Sequence, residues 1–486
     1  MAERGAIIIT ATTIAAVFLL TATTVAMPPH PAVVEAIEQG GELPYALAHR
    51  DELLQRGVDA AGAAPAVKAM AKQATGTATS QYKLLCILVE FADNPATVAA
   101  ADFDSLLFSQ QSPSVRHYYN EVSYGTIDIV TVNLPSSLGW QSAPQSYSYY
   151  VNGASGLGSY PQNCQKLVED LVNLVDGVVN FADYDNDNDG WVDGLTLIHA
   201  GKGAEAESNP GQANNMIWSH KWATYVPMSK DGKLVYIYSI QPEYVLSAGD
   251  ATIGVHCHEL GHSIFGLPDL YDTDYSSCGL GKWSIMAAGS WNGPNSNGGS
   301  PAHFDAWCRL QCGFTTANNV TANVNSQIIP RIETDSTGIF RLWSNGAASS
   351  EYFLIENRQQ VGYDTYVPGS GLLIYHIDDA VSTDNDNEWY PGHTYNGHYL
   401  VALEQADNLY QLEKDSSYGD DGDPFPGSSG QTLFSNITFP SSRSYSGSNT
   451  LVAVNNISSS AAIMTTDLVV ALVADVDDYI SDPILP

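Results

Sequence analysis

The sequence predicts an α+β protein. A first domain would carry a mixed sheet and one helix dense in metal-binding side chains, and an antiparallel β-sandwich domain would follow it. Three observations predict this order. Residues 82–91, YKLLCILVEF, form an apolar run of strand character suited to a sheet covered on both faces. The stretch from Gly254 to Asp274 contains His258-Glu259-Leu260-Gly261-His262, with helix-stop signals just beyond it. From Asn318 onward the chain changes to short alternating stretches separated by turns.

Taken in order, Met1 to Ala26 reads as an export signal. Arg4 precedes an apolar run from Ala6 to Leu20, and Thr24-Val25-Ala26 is a small-residue cleavage site. The mature protein is therefore expected to be secreted and extracellular. Residues 27–79 are rich in Ala, Pro and Gly. They hold short helical patterns at Pro31 to Ile37 and Leu43 to Gly57, then a linker from Asp59 to Ser80.

The 486-residue chain has 19 Lys and Arg against 53 Asp and Glu, a net charge of −34. Such a field argues against nucleic acid or an anionic membrane surface as a partner. Cys86, Cys164, Cys257, Cys278, Cys308 and Cys312 make an even set, and in an exported chain disulfides are expected.

After the first strand, Phe103 to Phe108 and Ser114 to Val122 read as helices, Ile127 to Val132 as a strand, and Cys164 to Val175 as a helix. Asp185, Asp187, Asp189 and Asp193 then alternate around Gly190 in the manner of the front half of a calcium loop. With Asp185 as position 1, position 12 is Thr196 rather than a bidentate Glu, so the expectation is a calcium loop bracing the strand Gly194 to His199 and not a full EF-hand. His199 and His220 read as structural histidines near the cleft. Pro301 to Cys312 reads as a helix closing the domain.

The chemistry concentrates on residues 258–269. On a helix, residues i and i+4 share a face, so His258 and His262 can present two imidazoles to one zinc ion. Glu259 lies beside them as a general base for an attacking water. Gly266 ends the helix and Pro268 cannot continue it, which makes Asp269 the nearest carboxylate for a third ligand. Asp272, Asp274 and His303 remain alternatives. Cys257 projects about 100° from His258 on a helix and reads as structural.

HELGHSIFGLPDLYD, WSIMAAGSW and SPAHFDAW together resemble the immune inhibitor A family of secreted zinc metallopeptidases, and similar stretches run from about residue 82 to about 458. The resemblance implies a zincin or metzincin-like catalytic domain over residues 80–315. It also implies zinc on His258, His262 and Asp269, Glu259 as base, and Met286 in a turn beneath the metal. It further implies that residues 27–79 hold the enzyme inactive. Relative to the metzincin spacing one residue is added before Gly266, which a bulged last helical turn would absorb. Ala288 stands where metzincins place a Tyr, so Tyr271 becomes the candidate for that role. The expected function is a secreted endopeptidase acting on protein or peptide substrates, with catalytic Zn2+ and structural Ca2+. The rival is a calcium-stabilised extracellular binding protein on the same fold. Residues 316–475 would form the β-sandwich-like domain and 476–486 an acidic tail. Acidic turns at Asp384 to Glu388 and Asp420 to Asp423 read as solvated loops, with calcium as the sharper alternative.

Overall fold

A computed structural model describes residues 27–59, 79–381, 385–393 and 397–471. The expected signal sequence, residues 60–78 of the linker and the acidic tail lie outside the described residues. No helix among the described residues is long and apolar enough to cross a membrane.

The predicted first strand is two. β1 (Ser80–Lys83) and β2 (Leu85–Glu90) are separated at Leu84, and they pair with different neighbours. β1 lies parallel to β3 (Ile127–Val130). β2 lies in a five-stranded sheet with β4 (Trp140–Ser142), β5 (Leu195–Lys202), β6 (His220–Lys230) and β7 (Lys233–Tyr244), in the order β4-β2-β5-β7-β6. All pairs are parallel except β6 with β7, which form an antiparallel hairpin with β6 at the sheet edge. The sheet is covered on both faces, as the apolar run requires. Cys86 and Leu88 enter one core, Leu85, Ile87 and Val89 the other.

The helices form where polar caps start them. Ser114 Oγ accepts the His117 N–H at the head of Val115–Val122, and Asn163 Oδ1 accepts the Lys166 N–H at the head of Cys164–Val175. The last helix of the domain begins later than the sequence suggests. Asp305 caps it, accepting the Cys308 N–H at 2.9 Å, so the helix spans Ala306–Cys312 and residues 301–305 are irregular. The central helix, Ile253–Phe265, packs against β7 and β6 and is buried along almost its whole length.

Two further sheets follow. One has the order β13-β12-β11-β10-β8, from β8 (Asn318–Asn319), β10 (Phe340–Leu342), β11 (Glu351–Arg358), β12 (Gly371–Asp378) and β13 (Val401–Leu403). The other has β9 (Val324–Pro330), β14 (Ala453–Asn455) and β15 (Ile463–Val469), in the order β14-β15-β9. Ile329, Phe353, Ile355, Leu372, Ile374, Val454 and Met464 place both sheets on one shared core. The opposite face of β11 and β12, with Tyr352, Leu354, Leu373 and Tyr375, is buried against the first domain instead. The buried Arg358 fastens that junction: it donates to Asp364 Oδ2 at 2.7 Å, Glu356 Oε1 at 2.8 Å and the His303 carbonyl at 3.0 Å.

The disulfide expectation is corrected. All six cysteines are buried free thiols. They are spread over β2, three helices and the loop at Cys278, packed as small apolar side chains.

Candidate metal centre

The central helix ends in a widened turn. The Gly266 N–H reaches the carbonyls of both His262 and Gly261, and the Leu267 N–H bonds the Gly261 carbonyl at 3.3 Å. Gly266 sits at φ +64°, where a side chain would be strained. This bulge absorbs the extra residue and turns the chain so that Asp269 returns to the histidines.

His258 Nε2 and His262 Nε2 lie 3.0 and 3.2 Å from Asp269 Oδ1, and 3.1 Å from each other. Donor atoms about 3.3 Å apart are what a tetrahedral zinc shell with bonds of about 2.05 Å requires. Each ring is oriented from behind. His258 Nδ1–H donates to the Ile285 carbonyl at 2.8 Å and His262 Nδ1–H to the Leu267 carbonyl at 2.8 Å. Because carbonyls only accept, both Nδ1 atoms carry the proton and both Nε2 lone pairs face the shared point. The donor set therefore fits zinc.

The electrostatics agree. Burial holds His258 below its ordinary pKa, while the Asp269 carboxylate outweighs burial at His262 and raises it. Asp269 is itself held well below the carboxylate range: the two imidazoles overcome the desolvation that would raise it. Glu259 is fully buried, and among the described residues the Met27 main chain comes near its carboxylate without a hydrogen bond of ordinary geometry. Burial raises its pKa well above the usual range, and the negative charges of Asp59 and Asp269 raise it further.

Met286 lies under the helix, and a Cβ on Gly261 would meet its sulfur at 2.6 Å. The Met286 carbonyl accepts the Leu270 N–H at 2.7 Å, which ties this turn to the strand of chain carrying Asp269. Tyr271 is buried with its ring 6.5 Å from that of His258. The alternatives for third ligand point elsewhere. Asp272 accepts from Ser276 and Ser277, Asp274 from the Ser276 N–H, and His303 is held by Glu121 and Arg309. His199 and His220 are buried, each with Nδ1 on a main-chain carbonyl and each pushed down to about 4 by burial. The Cys257 side chain is packed in the apolar core away from the histidines.

Two participants were not foreseen. Asp59 and Lys221 exchange main-chain contacts: the Asp59 N–H donates to the Lys221 carbonyl at 2.8 Å, and the Lys221 N–H to the Asp59 carboxylate. Both side chains are buried close enough to Glu259 for their charges to act on one another. At the other end of the same segment, Met27 N–H bonds the Ser219 carbonyl, and the indole N–H groups of Trp218, Trp291 and Trp222 donate to the carbonyls of Met27, Pro28 and Arg56. Residues 27–59 thus meet the start of β6 at both their ends, beside the buried Glu259.

Of the four aspartates read as a calcium loop, three converge and one does not. Asp185, Asp187 and Asp193 each bring an oxygen within 4.8 Å of the others, and Asp189 stands outside this cluster. The Asp189 carboxylate turns back to accept the Trp191 N–H, and Lys233 pairs with Asp185. Burial, with the neighbouring carboxylates, pushes Asp193 up to about 7.

The helix, its widened turn and the histidine-aspartate centre define the class of a metal-dependent hydrolase site. Residues 100–314 match the family model of the immune inhibitor A peptidase M6 catalytic domain. It is 29% identical over 280 residues to the pre-pro-metalloprotease PrtV of Vibrio cholerae, covering 47% of this chain and 29% of that protein. It is also 29% identical over 265 residues to immune inhibitor A of Bacillus thuringiensis subsp. alesti, covering 43% of this chain and 36% of that protein. The matched region thus spans about a third of the length of these curated relatives.

Proposed function

We propose that this protein is a secreted zinc endopeptidase whose centre is His258, His262 and Asp269, with Glu259 as general base. The observation that carries the reading is the convergence of three donor atoms at 3.0–3.2 Å, each imidazole held from behind by a carbonyl. Zinc held there supplies Lewis-acid polarisation of the scissile carbonyl and acidifies water. Glu259 accepts the proton of the attacking water and returns it to the leaving amine. In this reading Tyr271, whose ring lies 6.5 Å from that of His258, donates to the developing oxyanion. The β6 edge, with the carbonyls of Ser219 and Lys221 facing residues 27–59, is the surface on which an extended peptide would pair its main chain.

In this reading residues 27–59 hold the enzyme inactive by occupying that edge, and the catalytic unit spans residues 80–315. The second domain is β-sandwich-like, and the Asp185 turn is a calcium loop of three carboxylates.

The test is zinc content and peptide hydrolysis after removal of residues 27 to about 79, for the wild type beside Glu259→Ala. A wild type with about one zinc that cleaves, and a variant that keeps the metal and is inactive, supports the base assignment. Zinc-loaded protein that cleaves no peptide in either form would transfer the site to the binding-protein reading.

A further inference from the structure

A second cluster of carboxylates adjoins the Met286 loop at Trp283. Asp407, Asp420 and Asp423 each place an oxygen within 4.8 Å of the others, a spread that oxygens bound at about 2.3–2.6 Å to one calcium ion can span. The three come from two turns brought together by the chain. Leu409 N–H closes the first on Asp407 Oδ1 at 3.0 Å, and Gly422 N–H closes the second on Asp420 Oδ1 at 2.7 Å. Gly422 is required where the turns meet, since a Cβ there would lie 2.5 Å from Asp407 Oδ2.

An acidic cluster alone is no site, but Asp423 is unusual within this one. It is completely buried, and its Oδ2 accepts the Trp283 indole N–H at 2.9 Å and the Asp420 N–H at 3.0 Å. Its Oδ1 is equally buried and receives no hydrogen bond among the described residues. None of the three residues forms an ion pair with a basic side chain among the described residues. A buried carboxylate oxygen without donor or counter-charge costs several kcal/mol unless a proton or a metal satisfies it.

We propose that Asp407, Asp420 and Asp423 bind one divalent cation of the calcium class, and that this ion pins the 419–424 turn against Trp283. All-oxygen, carboxylate-rich donors on flexible turns select calcium over zinc and over the stricter magnesium. Trp283 opens the loop that ends in Met286, and its carbonyl also receives Arg358. The ion would thereby brace from below the segment whose Ile285 carbonyl orients His258.

The experiment uses the full chain, zinc-loaded, with Asp187→Asn introduced to silence the Asp185 cluster. Tb3+ is titrated while tryptophan is excited, because Trp283 is hydrogen-bonded to a proposed ligand and serves as the antenna. The expected result is sensitised emission that saturates at one equivalent, is displaced by Ca2+ but not by the same concentration of Mg2+, and is lost on adding Asp407→Asn or Asp420→Asn. Calcium should raise the parent's Tm by several degrees and leave both added variants unmoved. The two variants are read separately, so poor folding of one leaves the other decisive. The proposal is overturned by a parent that takes up no terbium or calcium, or by both added variants binding as the parent does. Metal uptake is the readout, so failure here is independent of whether the chain cleaves peptides.

Discussion

His258 donates its Nδ1–H to the carbonyl of Ile285, 2.8 Å away, and the next residue, Met286, packs its sulfur beneath Gly261 on the same helix. The loop therefore fixes both the tautomer of one metal-facing ring and the height of the helix that carries it. Gly261 is the point of closest approach.

Gly261→Ala should destabilise the protein by about 1–3 kcal/mol, the usual cost of overpacking a full core. Helix propensity alone would favour Ala by about 1 kcal/mol, but the added Cβ would meet Met286 Sδ at 2.6 Å and Cε at 3.3 Å. Chemical denaturation measures the effect. In a Met286→Ala background the same change should cost nothing or stabilise. Equal costs in both backgrounds would rule out the contact as the cause.

Asp269→Ala should reduce zinc retention by more than tenfold after dialysis against a mild chelator, whereas Asp272→Asn should leave zinc content at the parental level. The distinction follows from placement. Asp269 Oδ1 lies 3.0 and 3.2 Å from the two Nε2 atoms, and Asp272 is satisfied by serine hydroxyls. Zinc analysis by mass spectrometry decides it. Retained zinc in Asp269→Ala would return the third-ligand role to another residue.

The centre was readable from sequence where its geometry is local. The spacing of His258 and His262 fixes a shared face, and Gly266 with Pro268 fixes the turn that presents Asp269. What could not be read depends on distant partners. Asp59 meets Lys221 across 162 positions, and nothing near either residue announces the pairing. Asp407 joins Asp420 and Asp423 where the Ala406 N–H bonds the Asp423 carbonyl at 2.9 Å and draws two separate turns together. The β6–β7 hairpin escaped because its charged and polar residues alternate with buried ones only in part. The continuous burial of β11 and β12 reflects two cores, one on each face, where sequence alternation suggested a single buried side.

Release of residues 27–59 should be visible without any substrate. Trp218, Trp222 and Trp291 are nearly inaccessible, and each indole N–H is spent on a main-chain carbonyl of that segment. Proteolytic removal of the segment should expose them and shift tryptophan emission to longer wavelength, in step with the appearance of peptidase activity. Activity that rises with no spectral change would mean that the segment does not restrain the enzyme through these contacts.

Stability should fall as pH rises from about 6.5, where the buried histidines no longer contribute, to about 8, and Glu413 should account for part of that slope. Burial is the main cause that pushes Glu413 up to about 8, with repulsion from Glu404 and Asp423 adding and a hydrogen bond from the Gln405 amide opposing. The folded protein keeps a proton there that the unfolded chain, with an ordinary carboxylate, releases near pH 4.5. Between those values the unfolded state binds fewer protons, so the unfolding free energy declines with pH and the contribution is full only below about pH 4.5. Each pKa unit is worth about 1.4 kcal/mol. Glu413→Gln keeps an acceptor for Gln405 and cannot ionise. It should therefore flatten the pH dependence of the urea midpoint in calcium-free buffer, and gain at least about 1.4 kcal/mol over the parent at pH 8. Glu333, also pushed up to about 8 chiefly by burial, should leave a residual slope of the same sign. An unchanged slope in Glu413→Gln would show that Glu413 is already ionised in the folded protein at neutral pH.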